Sequence, residues 1–177
     1  MKLVILDRDG VINEDSDAFI KGPDEWRAIP GSLEAIARLN HAGFLVVLAT
    51  NQSGVGRGLF EVSTLNAIHD RMQRALGQIG GRIDAIFFCP HAQEANCNCR
   101  KPKAGLLEEI ARRFNVGLGG VPSVGDSLRD LQAAAVVGAA PILVLTGKGE
   151  ATRKTGGLPE DTRVYPDLAT AVRAIVR

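Results

Sequence analysis

Short apolar runs alternate with amphipathic segments along the whole chain. The apolar runs are rich in Val, Ile, Leu and Phe and lack polar alternation, which is typical of strands buried on both faces of a parallel sheet. Six strands are predicted, at residues 3–6, 44–49, 83–88, 123–124, 142–145 and 164–165. Between them, apolar residues spaced three and four apart predict helices with one buried face.

The helices carry local start and stop signals. Ser32 is predicted to cap the first helix and Gly43 to end it. The second helix is predicted to bury a face made of Leu65, Ile68, Met72, Leu76 and Ile79. Three more helices are predicted at residues 106–114, 128–137 and 168–176. The pattern therefore predicts an α/β fold, a Rossmann-like parallel sheet flanked by helices on both faces, in a single domain spanning residues 1–177.

Composition and charge narrow the class of function. Apolar residues make up 45% of the 177 residues and charged residues 23%, as in an ordinary globular protein with one core. The 21 Lys and Arg residues nearly balance the 20 Asp and Glu residues, so neither nucleic acid nor a membrane is expected as a partner. The N-terminal residues lack the pattern of a signal peptide. We expect a cytoplasmic monomer that acts on a small molecule.

Polar side chains gather at one edge of the predicted sheet. In an open parallel sheet, ligands bind beyond the carboxyl ends of the strands. The side chains expected there are Asp7 and Asp9 after the first strand, Thr50 and Asn51 after the second, Asp126 after the fourth, and Lys101 after a long loop. The carboxylates offer the oxygen ligands that Mg²⁺ prefers together with substrate phosphate, and Lys101 adds a positive charge.

These residues, in this order, resemble the four motifs of the haloacid dehalogenase superfamily of phosphotransferases. Asp7-Arg8-Asp9-Gly10-Val11 is similar to the first motif, Thr50-Asn51 to the second, Lys101 to the third, and Gly125-Asp126-Ser127 with Asp130 to the fourth. The match covers nearly the whole chain, and the intervals between the motifs leave no room for an inserted cap domain. The resemblance implies a haloacid dehalogenase-like fold without a cap.

The resemblance also implies catalytic roles. Asp7 would be the nucleophile that forms an aspartyl-phosphate, and Asp9 would be the general acid and then the general base. Mg²⁺ would be held by the Asp7 carboxylate, the Asp9 backbone carbonyl and the Asp126 carboxylate. Thr50 and Asn51 would bind the phosphoryl oxygens. A carboxylate can attack a phosphate dianion only if cations screen the repulsion, which a magnesium ion and a nearby lysine would do.

A second metal site is predicted in the loop at residues 89–103. Cys89, His91, Cys97 and Cys99 give a Cys-x-His followed by a Cys-x-Cys, which is a full tetrahedral ligand set for Zn²⁺. All three cysteines of the chain fall inside this stretch, which favours a metal site over a disulfide framework. No coordination position is left open, so the zinc would be structural. The remaining histidines, His41 and His69, are expected at the surface.

With this predicted zinc site, the chain resembles in particular a small subfamily that contains heptose bisphosphate phosphatases and histidinol-phosphate phosphatases. The implied reaction is removal of the 7-phosphate of a heptose 1,7-bisphosphate in lipopolysaccharide and ADP-heptose biosynthesis. Arg57, Arg100 and Lys101 would meet the substrate. The loop at residues 13–29, with Asp15, Asp17, Lys21 and Trp26, is the natural candidate for a wall around the sugar.

Three alternatives stay open from the sequence. Histidinol-phosphate phosphatases share every motif named above. Polynucleotide 3′-phosphatases show a similar Arg-Lys-Pro segment, although the net charge of +1 argues against a nucleic-acid substrate. A zinc-bearing interaction module with a vestigial phosphatase site is disfavoured by the complete set of acids, threonine and lysine.

Overall fold

A six-stranded parallel sheet forms the centre of the molecule in the computed structural model, which describes residues 1–177. The strands are β1 (Lys2–Leu6), β2 (Phe44–Asn51), β3 (Ala85–Cys89), β4 (Pro122–Gly125), β5 (Ala140–Val144) and β6 (Arg163–Tyr165). They are arranged in the order β3-β2-β1-β4-β5-β6, and every neighbouring pair is parallel. The predicted α/β fold is confirmed.

Seven helices connect and cover the strands. They are α1 (Ser32–His41), α2 (Ser53–Gly56), α3 (Val62–Gly77), α4 (Gly105–Phe114), α5 (Leu128–Val136), α6 (Gly149–Thr155) and α7 (Leu168–Ile175). Two single 3₁₀ turns, Pro23–Glu25 and Gln93–Ala95, lie inside the two long loops. None of the helices combines the length and the apolar character needed to cross a membrane.

Two details of the helix predictions are wrong. Ser32 is the first residue of α1 rather than its cap, because its hydroxyl donates a hydrogen bond to the Val11 carbonyl 2.8 Å away and Gly31 holds the cap position. Ile79 lies beyond the end of α3 and is 41% exposed, so the buried face of that helix ends at Leu76. Gly43 follows the end of α1 with a positive φ, as predicted.

The sheet is buried on both faces, as the unbroken apolar runs predict. Residues that alternate along β1 point to opposite sides, so Val4 and Leu6 join one cluster and Leu3 and Ile5 the other. The first cluster holds 21 buried residues and includes apolar side chains of α1, α3 and α7. The second holds 12 and includes side chains of α4 and α5. Burial on both faces holds the strands in register, which fixes the positions of the residues that follow them.

The strand order reverses direction between β1 and β4. From β1 the chain adds β2 and β3 on one side, and it then returns to place β4 on the other side of β1. Connections at such a reversal leave opposite sides of the sheet, which opens a crevice at the carboxyl ends of the two strands. Asp7 follows β1 and Asp126 follows β4, so both lie at this crevice. The Asp7 amide donates a hydrogen bond to the Val124 carbonyl 2.9 Å away, which closes the seam between the two strand ends.

Gly10 is required where the turn after β1 passes the turn after β4. Gly10 and Gly43 have nearly the same backbone conformation, with φ of +83° and +86°. A Cβ atom at Gly10 would overlap the carboxylate of Asp126, whereas a Cβ at Gly43 would meet nothing within 4 Å. Substitution of alanine at Gly43 therefore introduces backbone strain alone, whereas the same substitution at Gly10 adds steric overlap with Asp126.

We expect Gly10→Ala to destabilise the protein more than Gly43→Ala. Left-handed backbone alone costs about 1–2 kcal/mol for a residue with a Cβ, which is the loss expected for Gly43→Ala. Gly10→Ala adds displacement of Asp126, an overpacking cost of about 1–3 kcal/mol. Urea unfolding of the two variants measures the difference. Equal losses would show that Asp126 moves aside freely.

Candidate active site

A polar cleft lies over the carboxyl ends of β1, β2 and β4. Of the 18 residues that line it, only Phe19 and Ile20 are hydrophobic, which indicates a polar or charged ligand. The cleft brings together Asp7, Asp9, Asn51, Lys101 and Asp126, together with the predicted arginines Arg57 and Arg100. The predicted residue Thr50 does not line it. Its side chain is buried beneath the cleft, and its hydroxyl accepts a hydrogen bond from Gln52 at 2.9 Å.

The buried ammonium group of Lys101 lies between two carboxylates. Its Nζ is 3.1 Å from Asp7 Oδ1 and 2.7 Å from Asp130 Oδ1, and it donates a third hydrogen bond to the Ala49 carbonyl. Burial alone would lower the pKa of Lys101, but Asp130 and Asp7 outweigh burial and raise that pKa. Lys101 is therefore a fixed positive charge beside Asp7.

The side chain of Asn51 fixes the backbone on which Lys101 stands. Its Oδ1 accepts a hydrogen bond from the Lys101 amide at 3.0 Å, and its Nδ2 donates to the Lys101 carbonyl at 3.1 Å. Asn51 thus joins the end of β2 to the segment around Lys101, which follows the cysteine loop, residues 89–99. Both polar atoms of the Asn51 side chain are thus hydrogen-bonded to the backbone of Lys101.

Asp126 forms a cluster of three carboxylates with the two that contact Lys101. Oxygen atoms of Asp7, Asp126 and Asp130 all lie within 4.8 Å of one another, and all three residues lie at or below the floor of the cleft. Burial, followed by the charge of Asp130, raises the pKa of Asp7 to about 7. Burial, followed by Asp7 and Asp130, raises the pKa of Asp126 to about 8. Such a cluster needs further positive charge to stay ionised, and its oxygen donors suit a hard divalent cation.

The carboxylates of Asp126 and Asp130 are held by the turns around them. Asp126 Oδ2 accepts a hydrogen bond from the Lys148 amide at 2.9 Å, in the turn after β5. Asp130 Oδ2 accepts from both the amide and the hydroxyl of Ser127, which forms a capping box at the start of α5. Asp130, which the sequence analysis left without a role, is thereby oriented toward Lys101.

The side chain of Asp9 is surrounded by hydrogen-bond donors. Its Oδ1 accepts from Arg8 Nε at 2.9 Å and from Asn13 Nδ2 at 3.0 Å, and its Oδ2 accepts from Gln52 Nε2 at 3.2 Å. Burial alone would raise the pKa of Asp9, but the charge of Arg8 and these hydrogen bonds lower it. Asp7 and Asp9 are two residues apart, yet burial and neighbours push their pKa values in opposite directions.

Besides Lys101, four basic side chains line the cleft around the acid cluster. They are Arg57, Arg100, Arg129 and Lys148, of which the sequence analysis singled out only the first two. Arg100 Nη1 is buried without a hydrogen-bond partner, and the nearest acid to Arg57 is Glu94 at 3.9 Å. Burial, followed by the charge of Arg129, lowers the pKa of Arg100. Arg129 was missed, although its place in the first turn of α5, three residues after Asp126, was a usable signal.

The cysteine loop brings its four predicted metal ligands together. The ligand atoms of Cys89, His91, Cys97 and Cys99 all lie within 4.8 Å of one another. Cys89 Sγ is 3.6 Å from Cys97 Sγ, and His91 Nδ1 is 3.2 Å from Cys99 Sγ. These separations fit donors arranged about one tetrahedral ion with bonds of about 2.0–2.3 Å. Burial, followed by the neighbouring Cys99, raises the pKa of Cys89 to about 12. Burial would also raise the pKa of Cys97, but hydrogen bonds, first that of the Arg100 backbone, outweigh it and lower that pKa to about 6.

The loop at residues 13–29 contributes acids to the cleft but not its tryptophan. Asp15 and Asp17 line the cleft, and Asp15 Oδ2 lies 3.4 Å from Lys148 Nζ. Lys21 pairs instead with Glu25 within the loop, and Trp26 is buried in the core. The polar half of this loop therefore borders the cleft, while its aromatic residue anchors the loop to the domain.

The expected surface position is correct for His41 and wrong for His69. His69 is only 6% exposed, because it lies on the buried face of α3, and its Nε2 is 3.1 Å from Arg8 Nη1. Arg8 itself is fully buried. No local sequence signal reveals this pair, since the two residues are 61 positions apart in the chain.

Comparison with known proteins relates this geometry to a family. A model described as HAD-hydrolase-like matches residues 98–171, and a model described as polynucleotide kinase 3 phosphatase matches residues 2–127. A protein of Bordetella bronchiseptica named D-glycero-beta-D-manno-heptose-1,7-bisphosphate 7-phosphatase is 64% identical over 177 residues, with 100% of this chain and 99% of the relative covered. A protein of the same name from Pseudomonas putida is 52% identical, covering 99% and 100% of the two chains.

Solved structures agree with these relatives. The D,D-heptose 1,7-bisphosphate phosphatase of B. bronchiseptica, crystallised with magnesium and phosphate, superposes with a TM-score of 0.98 at 64% identity and covers 99% of this chain and 98% of its own. The phosphatase of the same name from Burkholderia thailandensis gives a TM-score of 0.80 at 54% identity, covering 99% of both chains. By full-length identity and fold, the chain belongs to the heptose bisphosphate phosphatase family of HAD-like hydrolases.

Proposed function

We propose that this protein is a magnesium-dependent phosphatase whose single domain removes the 7-phosphate of D-glycero-β-D-manno-heptose 1,7-bisphosphate through an aspartyl-phosphate. The observation that carries the proposal is the buried contact between Asp7 and Lys101 beside the acid cluster, because it provides a carboxylate nucleophile next to a fixed positive charge. The β anomer is proposed from the names of the full-length relatives.

The donor set at the cleft floor fits Mg²⁺. Asp7 and Asp126 would hold it through carboxylate oxygens, and Asp9 through its backbone carbonyl. When bound, the ion supplies positive charge that stabilises the transferring phosphoryl group. The magnesium and phosphate in the B. bronchiseptica structure support this assignment. Asp130 also lies within the cluster, but its ion pair with Lys101 favours a supporting role.

In the first chemical step, an oxygen of Asp7 attacks the phosphorus of the 7-phosphate. A bond forms between that oxygen and phosphorus, and the bond from phosphorus to the sugar oxygen breaks. Asp9, whose pKa is lowered in the free site, must take up a proton as the substrate binds, and it gives that proton to the departing sugar oxygen. Lys101 reduces the repulsion between the carboxylate and the phosphate. Asn51 lines the cleft and is the proposed contact of the phosphoryl oxygens, whereas the buried Thr50 would act through Gln52.

In the second step, water hydrolyses the aspartyl-phosphate. Asp9, now a carboxylate, takes a proton from the water as its oxygen bonds to phosphorus, and the bond between phosphorus and Asp7 breaks. Inorganic phosphate leaves, and both carboxyl groups return to their starting states. The same Asp9 side chain therefore acts once as an acid and once as a base.

The basic side chains explain why a bisphosphate suits this cleft. The transferring phosphate is served by Lys101 and the metal, so Arg57 and Arg100 are free to bind the 1-phosphate. Arg129 joins them, since it lines the same cleft and its charge acts on Arg100. Planar guanidinium groups bind phosphate oxygens in pairs, which would orient the sugar for attack at position 7.

The cysteine loop is proposed to hold one structural zinc ion. Its three thiolates and one imidazole leave no position open for substrate. The loop leads directly into Arg100 and Lys101, and Gly56 of α2 donates a backbone hydrogen bond to the Pro90 carbonyl at 2.7 Å. A closed metal site would therefore stiffen the segment that positions both basic residues.

Replacing the nucleophile tests the reaction. We expect Asp7→Asn to abolish turnover while the fold and zinc content are kept, because the amide is nearly isosteric but a poor nucleophile. Steady-state rates, circular dichroism and metal analysis measure this. Exposed Asp24→Asn serves as the matched control and should keep full activity. Retention of even about a tenth of kcat by Asp7→Asn would exclude Asp7 as the nucleophile, since general nucleophilic catalysis must supply many powers of ten.

Elemental analysis of the purified protein tests the zinc site. We expect one zinc per chain that resists dialysis against magnesium buffer, because structural zinc binds with about 10–16 kcal/mol in small peptides. Removal of zinc by a strong chelator should lower activity and increase proteolysis near Arg100. Asp7→Asn should retain its zinc, which separates the two sites. Full activity with only traces of zinc would exclude this role.

Substrate preference tests the basic groups. We expect kcat/KM for the heptose 1,7-bisphosphate to exceed that for histidinol phosphate by at least about 10²-fold, the scale of one or two charge-assisted hydrogen bonds. Histidinol phosphate carries a cation in place of the second phosphate. Arg57→Ala, Arg100→Ala and Arg129→Ala should reduce this preference more than they reduce turnover of an aryl phosphate.

Two results would contradict the assignment of the arginines. If histidinol phosphate is the better substrate, the protein belongs to the alternative branch of its subfamily. If the arginine variants lose activity equally on every ester, the arginines serve the transferring phosphate instead. A 3′-phosphorylated oligonucleotide completes the panel, because the polynucleotide phosphatase model also matches the chain.

A further inference from the structure

Arg8, which contacts Asp9, is itself held by a buried histidine outside the cleft, His69. Arg8 points away from the cleft and does not line it, although its neighbours Asp7 and Asp9 both do. Its guanidinium is fully buried and has three partners: Asp9 at 2.8 Å, His69 at 3.1 Å and Gln52 at 3.4 Å. Arg8 is therefore enclosed between the proposed acid-base residue and the buried face of α3.

The contact with His69 has a defined direction. Arginine keeps its protons at all accessible pH values, so Arg8 is the donor and His69 Nε2 must be the acceptor. The ring proton then resides on Nδ1, and the imidazole is neutral. Burial, followed by the charge of Arg8, lowers the pKa of His69 to about 4, which agrees with a neutral ring.

Gln52 closes the network on its other side. Its Oε1 accepts from Arg8, while its Nε2 donates to Asp9 Oδ2 at 3.2 Å and to Thr50 Oγ1 at 2.9 Å. Arg8 thus reaches both oxygens of Asp9, one directly and the other through Gln52. A guanidinium is a rigid plane, so fixing one of its edges against His69 fixes the edge that faces Asp9.

We propose that His69 is a positioning residue that orients the Asp9 carboxylate for proton transfer by holding the guanidinium of Arg8 in place. The inference rests on the proposed function, because it concerns how Asp9 donates and accepts protons. His69 itself does not line the cleft, so its effect must pass through Arg8. A side chain that only filled space at this position would need no acceptor atom.

The leaving group provides the diagnostic measurement. A sugar alkoxide leaves poorly without a proton, whereas p-nitrophenolate leaves without one. General acid-base catalysis contributes about 10²–10⁴-fold. We expect His69→Leu to slow the first turnover of the heptose bisphosphate by about 10-fold or more and that of p-nitrophenyl phosphate by less than about 3-fold, with KM little changed.

Three further variants control the experiment. The side-chain oxygen of Gln is four bonds from Cα, as is Nε2 of His, so His69→Gln should restore the wild-type ratio of the two rate constants. Asn is one bond shorter, so His69→Asn should behave like His69→Leu, and it serves if the leucine variant does not fold. Leu76→Ala removes a buried side chain two turns further along α3 and should leave the ratio unchanged. Because the ratio compares two substrates on the same sample, partial unfolding does not alter it.

Rapid-quench kinetics on the zinc-containing protein with magnesium gives these rate constants. Nitrogen NMR of the imidazole rings supplies an independent readout: His69 should be neutral with its proton on Nδ1. An unchanged ratio in His69→Leu, failure of His69→Gln to restore it, or a proton on Nε2 would overturn the inference. If the wild-type protein hydrolyses neither ester, the proposed function itself fails, which is a different result.

Discussion

The arrangement of the site depends on the buried ion pairs that the ammonium group of Lys101 makes with Asp7 and Asp130. A buried charge is tolerated only when its partners satisfy it, so these contacts constrain all three side chains at once. They join the end of β1, the first turn of α5 and the segment after the cysteine loop. Asn51 holds the backbone of Lys101 from the end of β2. One charge thus brings together four segments that are distant in sequence.

The cleft holds acidic and basic side chains in separate positions. The acid cluster occupies its floor, and the arginines lie around it with few acidic partners. Arg100 retains a buried, unpaired Nη1, although Asp7 and Asp126 lie in the same cleft. Keeping unlike charges apart costs stability, and a ligand with two phosphates would relieve that cost when it binds between them.

Sequence periodicity and motif order predicted the sheet, its main helices and the residues at its carboxyl edge. These signals are local, since each strand is an apolar run and three of the four motifs lie at the end of a strand. The unpredicted features depend on contacts between distant residues. Ser32 bonds to Val11 rather than capping α1, and His69 is buried because it meets Arg8. The proximity of Arg129 to Arg100 also arises from tertiary packing, although its position in α5 hinted at it.

The strand order also bears on how the protein is made. β1 lies at the centre of the sheet, and β2 and β3 can pair beside it as soon as the ribosome has released them. Its other edge stays open until β4 emerges, after the cysteine loop and α4 have been synthesised. During that interval the nascent chain exposes an unpaired, apolar strand edge, which is a site for chaperone binding or aggregation. Docking of β4 covers this edge and brings Asp126 to the end of β1, while Asp130 and the Lys148 amide that holds Asp126 are synthesised afterwards.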